Sequence, residues 1–406
     1  MIRSLTSLLL SIGLLLAGSG LQGTLISVRA DMEGMSVAVI GLMMSAYYGG
    51  FVLGCLRTPL LVARVGHIRA FVLLAALAAA TALIYPILVN VGLWLVLRAI
   101  TGFCFAGLFM VIESWISEQA DSATRGRILS VYRIVDLCAM TCGQALLNVA
   151  AAAGTTLFSV VAILTCLAIV PIAFTKAQAP NPLTSVNLNI RRLLSVSPLA
   201  VMGALAAGLV NGALYALGAV YVQSFGHNVS VVTLFFGALI VGGALGQWPL
   251  GLLSDLYDRR IVLLLAAFAT CITGIVAAYM GSLSVGFLVA GGFIFGLSSM
   301  SIFGLCAAHA NDHADNQDFV AISAGLLLVF GLGSILGPLI AAGVMVITNP
   351  SGLFVYAIGV YAALCCFGLV RLRQSDSVPA ELQEEYVAIQ PRSVTTFEID
   401  PRNEED

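Results

Sequence analysis

The sequence predicts an all-α polytopic membrane protein with about twelve transmembrane helices in two pseudo-symmetric bundles of six. Three observations lead to this fold class: the composition, a series of long apolar segments, and an internal repeat. Of the 406 residues, 60% are hydrophobic and only 9% are charged, and the mean hydropathy is +1.03. A soluble domain has roughly 25% charged residues, so most side chains of this chain face something other than water.

The apolar segments are long enough to cross a bilayer as helices, which takes about 20 residues each. Barrel strands would need only about 10 residues and would alternate polar with apolar positions. The first segment exceeds the ~7–15-residue apolar region of a signal peptide, so we expect a transmembrane helix there. The predicted spans are 5–28, 36–58, 69–90, 92–115, 127–150, 155–175, 198–221, 230–253, 261–280, 283–306, 319–345 and 351–371.

Basic residues predict the orientation of these spans. The loops and termini on one side hold nearly all of the Arg and Lys residues near the spans, whereas the opposite loops hold only Arg29. By the positive-inside rule, we expect both termini in the cytoplasm and a multi-pass protein of the cell inner (plasma) membrane. The basic residues on the first side are Arg3, Arg64, Arg69, Arg125, Arg127, Lys176, Arg191, Arg192, Arg259, Arg260, Arg371 and Arg373.

Polar segments predict the domain boundaries. The predicted parts are an N-terminal bundle at 1–175, a cytoplasmic loop at 176–197, a C-terminal bundle at 198–372 and an acidic tail at 373–406. The tail's composition is typical of disordered segments, and docking of a partner is the alternative.

The two halves repeat each other at a nearly constant offset. Gly102 corresponds to Gly296 at 194 residues (296 − 102), and Gly143 corresponds to Gly337 at the same offset (337 − 143). The stretch that begins at Pro59 corresponds to the one that begins at Gly251, 192 residues later. Halves related in this way are typical of transporters whose solute site lies near the middle of the bilayer.

Apart from the arginines at or next to span ends (Arg57, Arg69, Arg127 and Arg371), four charged residues fall within the predicted spans: Arg98, Glu113, Arg133 and Asp136. A charge in the bilayer is costly, so such residues are expected to face the bundle interior and to serve a function. Arg133 and Asp136 are three positions apart on one helix and can pair, and Gln144 returns to about the same face. At about 1.5 Å per residue, Asp136 lies roughly 14 Å deep, near the middle of the core. We therefore predict a substrate or proton site here, and an ion pair that only fixes helix packing is the alternative.

Glu113 leaves two interpretations open. It lies near the cytoplasmic end of its span, at a depth between Arg127 and Arg133 of the next helix. Desolvation would suit it to protonation, whereas an Arg partner would keep it charged.

Several motifs resemble the major facilitator superfamily. Its loop signature is matched by Gly251-Leu-Leu-Ser-Asp255-Leu-Tyr-Asp-Arg259-Arg260, whereas the equivalent stretch in the first half has Ala63 in place of the acidic residue. Arg98-x-x-x-Gly102 resembles the fourth-helix pattern, and Glu118 to Arg125 resembles the pattern after that helix. Gly246-Gln-Trp-Pro-Leu-Gly251 is also similar to the YcaD-like branch.

This resemblance implies the major facilitator fold and a set of functional residues. It implies that Arg98 binds an anionic group or takes part in proton coupling, and that cavity-lining helices contribute Gln22, Asn211 and Tyr215. It also implies a cytoplasmic gate of charged residues, for which orientation charges without a gating role are the alternative. The gate residues are Arg64, Arg69, Glu118, Arg125, Asp255, Arg259 and Arg260.

The function predicted from these residues is secondary transport of a small polar or charged metabolite by alternating access, coupled to protons. We expect a small-molecule substrate, protons and the lipid bilayer as partners, a monomer, and no cofactor, metal or nucleic acid. Efflux of amphipathic compounds and a non-transporting sensor or scaffold are the alternatives. An enzyme is disfavoured because the sole ligand-like spacing, His309-x-x-x-His313, falls in or beside a loop.

The predicted topology can be tested in the loop between the bundles. With the native cysteines replaced, a cysteine introduced as Asn181→Cys should react with a membrane-impermeant maleimide only from the cytoplasmic side. Labelling from outside intact cells would contradict the topology, and an unsubstituted cysteine-free variant provides the control.

Overall fold

The computed structural model describes residues 2–118, 125–173, 190–280, 283–313 and 319–374, together with Gln383, Tyr386 and Val387. Side chains at 2–4, 125, 190, 191, 280, 319 and 320 are outside this description, as are most of the predicted 176–197 loop and 373–406 tail. Regular structure within the described ranges is entirely helical.

Fifteen helical segments follow one another along the described chain. They are α1 (Ile2–Met32), α2 (Val37–Val65), α3 (His67–Ile84), α4 (Val91–Glu118), α5 (Arg125–Leu146), α6 (Thr156–Leu167), α7 (Ile169–Ala173), α8 (Ile190–Val196), α9 (Pro198–Gln223), α10 (Val229–Leu256), α11 (Arg259–Met280), α12 (Val285–Ser299), α13 (Ile302–Asn311), α14 (Phe319–Ile347) and α15 (Gly352–Leu372).

Eleven stretches of the described chain are long and apolar enough to cross a membrane. Two of them contain a break, because α6 and α7 form one stretch and α12 and α13 form another. The predicted span at 127–150 corresponds to α5, which is not among the eleven. Its polar residues Arg133, Asp136 and Gln144 lower its hydropathy. The chain is a multi-pass membrane protein.

Several helices begin at an N-cap residue, whose polar side chain accepts a hydrogen bond from a backbone N–H of the first turn. Ser197 Oγ accepts a hydrogen bond from the Ala200 N–H at 3.3 Å, and Pro198 occupies the first turn. Asn228 Oδ1 accepts one from Val231 N–H at 3.2 Å at the start of α10. These caps satisfy backbone donors that helix ends leave open.

The described residues fall into two compact units. The first contains 2–35 and 42–173, and the second contains 36–41 and the described residues from 190 to 387. In the first unit α1 packs on α5 and α6, and α3 packs on α4 and α6. In the second unit α9 packs on α14 and α15, and α11 packs on α12 and α15. Each unit therefore repeats the same neighbour relations.

Glycines repeat the closest helix contacts as well. In the first unit, a Cβ at Gly50 of α2 would overlap the carbonyl of Ala99 of α4, and one at Gly102 would overlap the carbonyl of Tyr47. In the second unit, Gly242 of α10 has the same relation to Phe293 of α12. The offsets are 192 residues on one helix (242 − 50) and 194 on the other (293 − 99). We call these two contacts the glycine seams, α2–α4 and α10–α12.

A further pair of corresponding contacts joins the first spanning helix of each unit to the fifth: α1 to α5, and α9 to α14. A Cβ at Gly143 of α5 would overlap the carbonyl of Ala17 of α1, and one at Gly337 of α14 would overlap that of Leu209 of α9. Small residues at helix interfaces let backbones approach closely in a membrane. The internal repeat of the sequence is thus a repeat of packing.

The second seam predicts a stability difference between two glycines of α10. Gly246 faces the carbonyl of Leu297, whereas no atom lies within 4 Å of a Cβ built at Gly237. Gly246→Ala should destabilise the protein by about 1–3 kcal/mol through overpacking. Gly237→Ala should be neutral or stabilising by up to about 1 kcal/mol because Ala favours helix. Thermal unfolding in detergent measures both, and equal melting temperatures would contradict the seam.

Candidate functional site

Arg98 is a buried cation held by two side chains of α2. Its side chain is on α4, and the residue is 3% exposed. Nη2 lies 2.8 Å from the sulfur of Met44, and the guanidinium carbon lies 4.5 Å from the ring centroid of Tyr47. Nε has no hydrogen-bond partner, and no carboxylate pairs with Arg98 within the described ranges. A ring face stabilises a cation only in part, so the site suits an anionic group.

Arg133 and Asp136 form an ion pair on α5. Nη1 of Arg133 lies 2.9 Å from Oδ2 of Asp136, and the Asp136 side chain is 1% exposed. The spacing of three residues places them on neighbouring positions of the helix surface. The carboxylate is therefore removed from water and lies beside its own counter-charge.

Gln144 joins α5 to α1. Its Oε1 accepts a hydrogen bond from Thr24 Oγ1 at 2.9 Å, and its Nε2 donates to the carbonyl of Gly20 at 3.1 Å. Gln22 lies nearby in sequence, is 2% exposed, and its Nε2 has no hydrogen-bond partner among the described residues. Gln144 thus has a clear packing role, whereas Gln22 retains an open donor.

Glu113 is fully buried on α4 and accepts a hydrogen bond from the hydroxyl of Tyr132 on α5. Tyr132 was not among the residues predicted from the sequence. Its contact depends on how α4 and α5 are rotated against each other, and no spacing within one helix indicates that rotation. The hydrogen bond joins α4 to α5 within the first unit.

The two predicted residues of α9 lie in the second unit. Asn211 is buried, and its Oδ1 has no hydrogen-bond partner within the described part of the chain. The ring of Tyr215 is stacked against Phe236, with centroids 6.1 Å apart and an interplanar angle of 9°. The amide oxygen of Asn211 is therefore available to accept a hydrogen bond, whereas the ring of Tyr215 packs against Phe236.

Charged residues gather at the end of α10 in the second unit. Arg259 is 1% exposed and reaches two carboxylates, Asp255 at 3.1 Å and Asp312 at 3.2 Å. Arg260 pairs with Asp258 at 2.7 Å. Because Asp312 follows α13, these pairs join the ends of α10 and α13 to the start of α11. We call Asp255, Arg259 and Asp312 the charge network.

Asp258 lies between α10 and α11, outside the spanning stretches. Partial burial alone would raise the pKa of Asp258, but the hydrogen bonds and charge of Arg260 outweigh burial and hold that pKa below its ordinary value. The carboxylate therefore stays charged, and paired with Arg260, at neutral pH.

The corresponding residues of the first unit are arranged differently. Arg64, Arg69 and Glu118 are exposed, and none of them pairs with another residue that the structure describes. The Arg125 side chain lies outside the description. The charged ends of the two units are thus unequal, and Ala63 stands in the first unit where the second has Asp255.

The sequence analysis missed four partners of these residues: Met44, Tyr47, Thr24 and Tyr132. Met44 and Tyr47 are three residues apart on α2 and share a helix face with Gly50 and Gly54. This shared face was the sequence signal that could have placed both side chains at a close helix contact.

The two histidines considered as metal ligands have ring centroids 4.8 Å apart. No group of three metal-ligating side chains occurs within the described residues.

Comparisons with known proteins give the family. The model of the Major Facilitator Superfamily matches residues 8–243 and 199–399. The uncharacterized MFS-type transporter YcaD of Escherichia coli (strain SE11) is 28% identical over 346 residues, covering 84% of this chain and 89% of the relative. YcaD of Shigella flexneri matches to the same extent.

Two solved structures share the fold at low sequence identity. The nucleoside transporter NupG has a TM-score of 0.73 at 14% identity, covering 91% of this chain and 99% of NupG. A bacterial homologue of the human lysosomal transporter Spinster, in an inward-facing and occupied conformation, has a TM-score of 0.73 at 14% identity. The match covers 91% of this chain and 96% of the homologue. The family model covers most of the chain, and the repeated helical units and the loop signature agree with it, so the chain belongs to the Major Facilitator Superfamily of transporters.

Proposed function

We propose that the chain is a secondary active transporter that moves a small metabolite with an anionic group, coupled to protons, by alternating access. The family and the fold are those of transporters. The anionic class of substrate rests on Arg98, and proton coupling rests on Asp136. No enzymatic step is assigned to the chain.

The observation that carries the proposal is the environment of Arg98. A guanidinium in a membrane bundle loses its hydration and has to be compensated by neighbouring groups. Met44 and Tyr47 supply only a thioether and a ring face, and Nε is open. A carboxylate or phosphate of the solute would supply the missing charge in a two-pronged geometry that guanidinium groups favour.

Proton coupling follows from the ion pair on α5. Protonation of Asp136 would remove the negative charge that pairs with Arg133 and so weaken this contact on α5. Tyr132 lies on the same helix as this ion pair, and its hydroxyl donates a hydrogen bond to Glu113 of α4 in the same unit. A proton taken up at one carboxyl group would thus change the charge offered to the solute by this unit. Two states that differ by a few kcal/mol can be interchanged by such an event.

The charge network supplies the gate in this proposal. Arg259 connects Asp255 and Asp312, so movement of α10 relative to α13 would break an ion pair. Arg64, Arg69, Glu118 and Arg125 would act at the corresponding end of the first unit. We place this end and both termini in the cytoplasm, the protein in the inner membrane, and the active form as a monomer. NupG's nucleoside substrate is not carried over, because identity of 14% shows the fold alone.

The Arg98 site predicts which solutes bind. In a thermal-shift screen, small carboxylates or phosphates should stabilise the purified wild-type protein, and Arg98→Gln should lose that shift. The loss should correspond to at least about tenfold weaker binding, because a charge-assisted hydrogen bond is replaced by a neutral one. Arg98→Lys keeps the charge without the planar fork and should bind in between. Stabilisation only by uncharged solutes, with the same shift in Arg98→Gln, would rule out the anionic class.

The ion pair predicts how transport depends on pH. In proteoliposomes loaded with a solute from that screen, Asp136→Asn should lower proton-driven uptake about tenfold or more and remove its pH dependence. Glu33→Gln is the matched control, because Glu33 also pairs with an arginine close to it in sequence, Arg29 at 2.7 Å, but lies in the turn just after α1. Proton-driven uptake by Asp136→Asn at the wild-type rate would remove Asp136 from the coupling mechanism.

A further inference from the structure

Tyr386 lies far along the chain from the helices, yet it packs between two of them. A Cβ built at Gly304 of α13 would lie 2.5 Å from the Tyr386 hydroxyl oxygen and 3.3 Å from the ring carbon that bears it. A Cβ at Gly251 of α10 would lie 2.7 Å from Cε1 of the same ring. The ring therefore fills a notch that exists because both helices have glycine at this level.

The backbone of Tyr386 is bound as well. Its N–H donates a hydrogen bond to Oδ1 of Asp255 at 2.9 Å. The same carboxylate oxygen receives Nη2 of Arg259 at 3.1 Å. One turn of α10 thus presents both Gly251, which makes room for the ring, and Asp255, which holds the peptide.

These contacts attach the tail to the charge network. Arg259 also reaches Asp312, so a single chain of interactions runs from Tyr386 through Asp255 and Arg259 to the end of α13. The ring contacts the same pair of helices, α10 and α13, directly. The ion pairs of Arg259 already join the ends of α10 and α13. Packing of Tyr386 between these helices adds a second connection.

We propose that Tyr386 is an intramolecular brake: it docks in the notch formed by Gly251, Gly304 and Asp255 and slows transport by stabilising the charge network. This inference rests on the proposed gating role of that network. A contact present in one arrangement of a gate and absent from another shifts the population toward the first. Asp255 of the loop signature then serves two purposes, pairing with Arg259 and binding the Tyr386 N–H, while Gly251 makes room for the ring.

Docking can be measured without any transport assay. A glutamate-specific protease can cut after Glu385, at the peptide bond whose N–H is bound to Asp255. In the full-length purified protein, Tyr386→Ala should make this bond several-fold more susceptible, normalised to cleavage after Glu398. Tyr386→Phe keeps the ring and the backbone donor and should stay protected.

The notch itself provides a second variant with a matched control. Gly251→Ala adds one methyl group where the ring lies and should release the tail, while the helix gains intrinsic propensity. Gly237→Ala adds the same methyl to the same helix in open space and should leave the tail protected. Equal cleavage rates in wild type, Tyr386→Ala and Gly251→Ala would overturn the docking site.

The brake is tested by transport of the same variants. Released variants should take up solute about three- to tenfold faster than wild type, the effect expected for losing a partly exposed hydrogen bond to a charged group. Unchanged or slower uptake by a variant whose tail is released would overturn the brake. If release is observed but wild type transports no solute at all, the transporter proposal fails separately from the docking.

Discussion

Close approach of helix backbones at glycine determines where Arg98 of the candidate site lies. In the α2–α4 seam, Gly50 meets the carbonyl of Ala99, and Gly102 meets that of Tyr47. Arg98 precedes Ala99 on α4, so the same seam that brings the two backbones together brings its guanidinium against Met44 and Tyr47. The buried cation is thus a consequence of the packing, and larger residues in the seam would move the arginine away from the ring.

The two units share this scaffold and differ in what it holds. At the offset of 194, the positions of Arg98 and Asp136 correspond to Gly292 and Phe330. At the offset of 192, the position of Tyr47 corresponds to Leu239. The two units therefore share the contacts between backbones. At these compared positions the first unit has charged or polar side chains, whereas the second unit has glycine or apolar residues.

The sequence was sufficient for the features that depend on a single helix. Run length and hydropathy predicted the helices, a constant offset predicted the repeat, and a spacing of three residues predicted which face Arg133 and Asp136 share. Features that depend on the rotation of one helix against another were not predictable. Tyr132 meeting Glu113, Thr24 meeting Gln144 and Tyr386 meeting Gly304 join residues 19, 120 and 82 positions apart (132 − 113, 144 − 24 and 386 − 304). No periodicity within one helix encodes such a meeting.

The polar character of α5 has a consequence for biogenesis. A charged residue at the middle of a helix opposes its insertion by about 2.5–3.5 kcal/mol on the translocon scale, and α5 has both Arg133 and Asp136. Gln144 of this helix bonds to Thr24 and Gly20 of α1, and Gly143 seats against Ala17. Because α1 is synthesised before α5, it offers a packing surface for α5 during insertion, so α5 should leave the translocon as the partner of α1 instead of entering the lipid alone.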